Sequence, residues 1–392
     1  MTAVVAPVPA GPPDLGDLGA DLAAAAHGEA AGWDRDGALP AEVRRVAAAA
    51  GLLAPDLPVG YGSLGATPAQ IGELCARLGG VCSALRALVT VQAMVAAAVL
   101  RWGTFEQRTR WLPAFACGEL LAGFATTEAG AGSDLAAVGT SIRTVAEGRQ
   151  SSLELTGVKR WVTFGQVADV VLVLGVLDGR HTTVLVETDR AGVTRQPVEG
   201  QLGLRAAQLA HIQLDGVRVP AANRIAPPGF GLSHVAATAL DHGRFTVGWG
   251  CVGMAEACLR DMTDHVLTRS QGDTLLAEHQ TVRALLGRAA VDTAAVRELA
   301  TRAARLRAAG TLDAVAGTVT AKYAAARTAA SVAGAAVQVL GAAGCAPDSR
   351  VGRFYRDAKV MEIIEGSAQV AELHIADHLL RRARATGSGG RR

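Results

Sequence analysis

The chain has 392 residues, of which 50% are hydrophobic and only 4% aromatic. Its 38 basic and 36 acidic residues almost cancel, to a net +2, which argues against a nucleic-acid-binding surface as the main function. A chain of this length accommodates two or three packed subdomains, and its abundant alanine favours closely packed helices over a β-sandwich.

Residues 1–13, rich in Ala, Val and Pro and without a basic start, read as a disordered arm rather than a secretory leader. Residues 14–119 read as a helical domain. Leu22–Ala26 is strongly helix-forming, and Pro40 stands near a helix start ahead of the stripe Val43, Val46, Ala47. The loop Gly60–Gly65 lacks the strand–helix setting of a nucleotide fingerprint. Thr67-Pro68 opens a helix to Leu78, Ser83–Leu100 is a nearly apolar helix expected to be buried, and Phe105–Phe115 is a shorter one. Ala87–Leu100 contains Gln92 and stops at Arg101, so no run is expected to span a membrane, and the protein is expected in the cytoplasm.

The period changes to two over residues 120–230. Leu153–Leu155 alternates, Asp169–Gly175 and Thr182–Val186 read as buried strands, and His211–Val219 reads as two strand pieces around an Asp215-Gly216 turn. These short strands suggest a small β-barrel or sandwich. Residues 231–385 are helical again, in four segments: Ser233–Arg269, Leu276–Ala308, Leu312–Leu340 and Val351–Arg384, the last broken near Gly366. Four helices of this length point to an antiparallel bundle. Residues 386–392 read as a disordered tail. The fold class is therefore mostly α with a central β domain. The six cysteines form no CxxC pair and read as small buried hydrophobes in a reducing cytosol, and no histidine pair has metal-ligand spacing.

The chemistry concentrates in Arg356–Ser367. Glu365 follows Ile363 and Ile364 and precedes Gly366 and Ser367. Apolar neighbours disfavour a carboxylate and raise its pKa, which tunes it as a base for a difficult C–H bond, and Gly366 allows a backbone or a flat ring to approach closely. Read alone, the stretch is also compatible with a helix end, a C-terminal glycine and a solvated Glu.

Three stretches taken together resemble the acyl-CoA dehydrogenase family. They are Phe124–Asp134, with Thr127 and Ser133 in a glycine-rich loop; Gly157–Gly165, with Trp161 and Thr163; and Gln338–Gly341 leading to Arg356–Lys359 and Glu365–Ser367. Their order and the helix–β–helix layout agree over about residues 15 to 380. Gly80–Arg86, Val247–Gly253 and Met361–Ser367 are more similar to the dehydrogenases of polyketide clusters that act on extender-unit precursors such as methoxymalonyl-ACP. The resemblance implies an N-terminal helical domain, a small β-barrel, a C-terminal four-helix bundle and FAD as cofactor. It also implies a short acyl thioester on CoA or an acyl carrier protein as substrate, and an electron-transfer flavoprotein or oxygen as acceptor. The assembly it implies is a homodimer or homotetramer.

The resemblance makes Glu365 the base that takes the α-proton while hydride leaves the β-carbon for the flavin. Some members carry the base where this chain has Gly243, which leaves Glu365 alone. Arg244 would orient or acidify it, and Ser133, Asp241, Arg244 and Gly366 would face the substrate. Thr127, Ser133, Trp161, Thr163 and Ser367 would contact the flavin, with Trp161 and Thr163 at alternating strand positions on one face. Arg269, Gln338 and Gly341 would hold its pyrophosphate and adenosine, often across subunits. Glu362, one helical turn before Glu365, reads as a more distant or surface carboxylate. Two departures stand out: Arg269–Asp273 lacks the family's aromatic, and Ala342 replaces a second glycine. A flavin monooxygenase or oxidase on the same fold, or an inactive homologue serving as a binding subunit, are the competing expectations.

Overall fold

The computed structural model describes residues 15–147 and 150–387; the expected arm at 1–13 lies outside them, as does the tail beyond 387. The first domain holds α1 (Leu15–His27), α2 (Ala30–Asp36), α3 (Ala41–Ala49), α4 (Pro68–Gly79), α5 (Ser83–Trp102) and α6 (Phe105–Cys117). Thr67 and Thr104 start α4 and α6 with capping boxes: each hydroxyl accepts from the N–H of Gln70 or Gln107, whose side chain accepts in return from the Thr N–H. This satisfies donors that a helix start leaves open. The apolar α5 is buried along nearly its whole length.

The central domain is one sheet of β1 (Ala122–Ala125), β2 (Ser141–Glu147), β3 (Gln150–Val162), β4 (Val170–Leu177), β5 (Arg180–Glu187), β6 (Val193–Pro197), β7 (Ala210–Pro220) and β8 (Arg224–Ile225). Its order is β6-β7-β3-β2-β4-β5-β8, with β1 parallel to β4. Val171 and Val173 pack inward with Leu153, Leu155, Ile212 and Leu214. Val170 and Leu172 face the helices, against Val95, Val99 and Phe115. Burial on both faces explains the continuous apolar run of β4. The sheet curls around this interior, and among the described residues no pairing joins β6 to β8. The expected turn at Asp215-Gly216 is not a turn. Strand β7 continues through it, and Gly216, at φ 60°, sits opposite a register shift in β3 between Leu155 and Gly157. The dipeptide supplies a left-handed residue, and the partner strand makes it a bulge instead of a hairpin.

A π-helical turn, Gly231–Ala236, leads into α7 (Ala237–Thr268). A small hairpin follows, β9 (Ser270–Gln271) and β10 (Thr274–Leu275), and then α8 (Gln280–Ala308), α9 (Ala314–Leu340), α10 (Arg350–Met361) and α11 (Ala368–Gly387). The fourth expected segment is thus two helices, parted at the Glu365 loop. Helix α7 is the hub, packed on α4, α5, α8 and α9. Its backbone touches that of α4: a Cβ on Gly253 would lie 1.8 Å from the Ala76 carbonyl oxygen, and one on Gly79 would lie 2.5 Å from that of Gly250.

Contrary to expectation, α5 and the stretch Ala314–Cys345 are long and apolar enough to cross a membrane by length and composition. In this fold α5 is enclosed by protein and α9 is seated on α7, α8 and α10. The cysteine expectation is corrected at two positions. All six thiols are free and Cys75, Cys82, Cys251 and Cys258 are buried, but Cys117 and Cys345 are exposed. Both exposed ones stand at helix ends, where the chain leaves the core.

Candidate active site

The loop between α10 and α11 turns on two successive left-handed residues, Glu365 at φ 55° and Gly366 at φ 96°. The conformation is free for glycine but costs a residue with a side chain about 1–3 kcal/mol, so the surroundings must hold it. Two cations do so. Arg244 Nε on α7 donates to the Glu365 carbonyl at 2.9 Å, and Lys322 Nζ on α9 donates to the Gly366 carbonyl at 2.8 Å. The Ser367 hydroxyl accepts from the Val370 N–H at 3.4 Å and so caps α11. The loop is a helix end with a glycine, but its half-buried carboxylate is not freely solvated: Oε2 of Glu365 is enclosed and has no hydrogen-bond partner.

Burial pushes the Glu365 carboxyl up to about 7 against the opposing charges of Arg244, Lys322, Arg86 and His242, Arg244 being the strongest of these. Gly243 stands directly against it. A Cβ there would lie 2.8 Å from Cδ and Oε2 of Glu365 and from Sδ of Met94. Gly243, the position that the resemblance offers for an alternative base, is here the floor under Glu365.

This has a consequence for stability. A carboxyl raised from 4.5 to about 7 holds its proton in the folded state where the unfolded chain has lost it. Its penalty is absent below about 4.5, grows as pH rises, and is complete above about 7, at roughly 3 kcal/mol. Glu365→Gln is therefore expected to raise the melting temperature more at pH 8 than at pH 5. Equal shifts at the two pH values would show that the carboxyl ionises normally.

Around Glu365 the remaining polar groups are paired in ways the sequence does not announce. Arg86 is 2% exposed and donates to Thr90 Oγ1 at 3.2 Å. His242 contacts Asp56 through Nε2 at 2.8 Å, and its own Nδ1 is buried without a partner. Asp241 is ion-paired with Arg307, while its Oδ1 is buried and unpartnered. Glu362 accepts from Lys359 at 2.8 Å, which places it with a surface partner. Behind the loop, Arg244, Lys322, Glu365, Gly366 and His374 line a cleft of about 10 Å³, room for one water and too small for an acyl chain. Two hollows of about 480 and 570 Å³, both bordered by His27 and Arg350, contain none of the expected site residues.

The glycine-rich loop is the second part of the site. Glu128 and Ala131 exchange backbone hydrogen bonds at 3.0 and 3.3 Å, a tight turn between Thr127 and Ser133. Thr127 is half-buried and Ser133 exposed. Two residues missed in the sequence fix this loop. The fully buried Lys159 donates to Glu128 at 2.6 Å and to the Thr126 carbonyl at 3.2 Å. Glu128 also accepts from Gly139 N–H and from the N–H and hydroxyl of Thr140. Although its partial burial opposes ionisation, these partners hold its carboxyl down at about 2. A Lys in an alternating strand gives no hint of burial by itself.

The expectation of one shared strand face for Trp161 and Thr163 fails. Trp161 is at φ 59° beside a register shift between Lys159 and Val162, and Thr163 lies beyond the end of β3. The bulge breaks the alternation that the same-face reading requires. Trp161 is 52% exposed, which also excludes a place in the sheet interior. Its backbone N–H donates to Nδ1 of His211 at 3.3 Å, and the two rings meet edge to face at 5.4 Å. Arg269, Gln338 and Gly341 are exposed and lie far from the base within this chain. The 25 residues from Arg244 to Arg269 and the 16 from Lys322 to Gln338 span about 37 and 24 Å of helix. The unusual stretch after Arg269 forms the β9–β10 hairpin around Gly272, at φ 60°.

Three family models match in chain order: the acyl-CoA dehydrogenase N-terminal domain over residues 20–119, the middle domain over 123–217 and the C-terminal domain over 231–380. The chain is 29% identical over 357 residues to acryloyl-CoA reductase (NADH) of Anaerotignum propionicum, covering 89% of each. It is similar to the solved structure of FkbI, described as serving biosynthesis of the methoxymalonyl extender unit of the Fk520 polyketide. That match has 36% identity and a TM-score of 0.86, and covers 93% of this chain and 99% of the other. A glutaryl-CoA dehydrogenase from Mycobacterium smegmatis, solved in complex with FADH2, matches at 27% identity and a TM-score of 0.87, with 93% and 94% covered. With three domain models matched in order along the chain and solved relatives aligned over nearly its whole length, the chain belongs to the acyl-CoA dehydrogenase family, whose members are FAD-dependent oxidoreductases.

Proposed function

We propose that this protein is an FAD-dependent dehydrogenase of a short acyl thioester, with Glu365 as the base that takes the α-proton. The observation that carries this reading is the enclosed, unpartnered Oε2 of Glu365, raised to about 7 by burial, in a chain of this family. A carboxyl titrating near neutrality is suited to accept a proton from carbon at physiological pH. Arg244 and Lys322 hold the loop that presents it, and Gly243 leaves the room it occupies.

The residues present fit a flavin. The turn that joins Thr127 to Ser133 offers hydroxyl and backbone groups, and Trp161 presents a broad exposed indole from a backbone conformation that folding alone does not favour. Thr127, Ser133, Trp161 and Thr163 would hold the ring, and FAD supplies the hydride acceptor for the β-carbon. Arg269, Gln338 and Gly341 fit the phosphate and adenosine half when a second copy of the chain brings them to a neighbour's loop, in a homodimer or homotetramer. Asp241 and Arg244 would face the acyl thioester. The similarity to FkbI supports an acyl group on a carrier protein and a place in extender-unit synthesis. The relationship to a reductase is consistent with the same residues serving the reverse reaction, since the base that removes the proton also returns it.

The test is anaerobic titration of the purified flavoprotein with a panel of acyl-CoA and acyl-carrier-protein thioesters. Bleaching of the flavin band by short thioesters is expected, most strongly by carrier-bound ones. A protein that takes up no FAD, or whose flavin no thioester bleaches, would overturn the proposal. Rapid peroxide formation with substrate would instead mark an oxidase.

A further inference from the structure

Lys322 is the least expected group beside the base. It is 2% exposed, in the middle of the alanine-rich α9, where lysine is ordinarily a solvated residue. Among the described residues no carboxylate is hydrogen-bonded to it; Nζ donates to the Gly366 carbonyl. Its backbone is pressed into α7, with the Lys322 Cα 3.2 Å from where a Gly248 Cβ would be. Burying an ammonium without a carboxylate partner is costly, and burial pulls this one down to about 8. Apolar side chains fill the neighbouring interior positions of α9, such as Val319 and Ala325, so the fold does not require a cation there.

The geometry points to Lys322 as a positioning residue that, with Arg244, clamps the consecutive carbonyls of Glu365 and Gly366 and so fixes where the Glu365 carboxyl is presented. The clamp explains how a non-glycine residue is held at φ 55°. It takes one hold from α7 and one from α9, so the pose of the base is tied to the packing of two helices. Lys322 also supplies charge, together with Arg244 and His242 from α7 and Arg86 from α5; His374 of α11 borders the same cleft. Removing one cation from this set leaves the carboxyl harder to ionise. The inference rests on the reading of Glu365 as a base, but its physical part is testable without any substrate.

Lys322→Met removes hydrogen bond and charge; Lys322→Gln keeps an N–H donor and removes the charge. The carboxyl of Glu365 is followed by isotope-edited infrared titration of 13C-glutamate-labelled protein, taking the difference from Glu365→Gln. Both Lys322 variants are expected to move the midpoint up by about one pH unit. In flavin bleaching by thioester, Lys322→Met is expected to lose about 10–100-fold in rate at saturating substrate with little change in half-saturation, and Lys322→Gln to recover much of it. A lysine that merely supports the fold would lower the melting temperature and leave the midpoint unchanged. An unmoved midpoint in Lys322→Gln, or a Lys322→Met rate equal to wild type, overturns the inference. If wild-type flavin is bleached by no thioester, the functional proposal fails while the infrared titration still decides whether Lys322 sets the ionisation of Glu365.

Discussion

Glu365→Gln is expected to bind FAD as wild type does and to lose flavin reduction by thioester about 10³–10⁴-fold. The amide matches the carboxylate in size, so the space above Gly243 stays filled and the carbonyls of residues 365 and 366 keep their partners. What disappears is the proton acceptor. Neither neighbouring carboxylate stands ready to replace it among the described residues: Glu362 is engaged by Lys359 and Asp241 is ion-paired with Arg307. Stopped-flow reduction with one thioester decides the matter, and a variant that retains most of the wild-type rate would remove Glu365 from the role. In wild type, the same measurement across pH is expected to show a rate that rises through an acid limb near 7, because the base must be ionised to act.

The second large effect is expected at Gly243. In Gly243→Ala the new methyl would sit 2.8 Å from Cδ and Oε2 of Glu365, well inside contact distance, with Met94 Sδ as close on another side. The carboxyl has to move by several tenths of an ångström or more. A displacement approaching 1 Å costs a reacting group about 10²-fold, so a loss of roughly that size in flavin reduction is expected, with flavin content unchanged. Alanine is the better helix former, which offsets part of the crowding and keeps α7 folded. Adding Met94→Ala opens space on the side of Met94 and is expected to restore part of the rate. A wild-type rate in Gly243→Ala would mean that the carboxyl has more freedom than its packing indicates.

The candidate base is legible in the chain through the resemblance that Glu365-Gly366-Ser367 carries; the stretch alone is equally a helix end with a solvated Glu. The surroundings of Glu365 were not legible. Arg244 lies 121 residues from Glu365, and Lys322, which holds the next carbonyl, lies 44 from Gly366. Arg244 was found because it adjoins a recognisable motif; Lys322 was missed because a single lysine in an alanine-rich helix carries no periodic signal of burial. The glycine-rich loop was found by its residue types, but its anchor, the Glu128–Lys159 pair, joins two stretches that were read separately. The face of Trp161 was misread because strand alternation holds only while the register does, and a bulge near that residue ends it.

What the sequence determined by itself was the order of helical and extended segments and the buried character of α5 and β4, because each follows from short-range spacing and residue type. What only the tertiary structure decided was which side chains converge. The α4–α7 backbone contact at Gly79 and Gly253, the floor that Gly243 makes under Glu365, and the grip of Lys322 on Gly366 all join residues distant in the chain. Periodicity reports which face of an element is apolar, not which element covers it, so these contacts become visible only once the helices are packed.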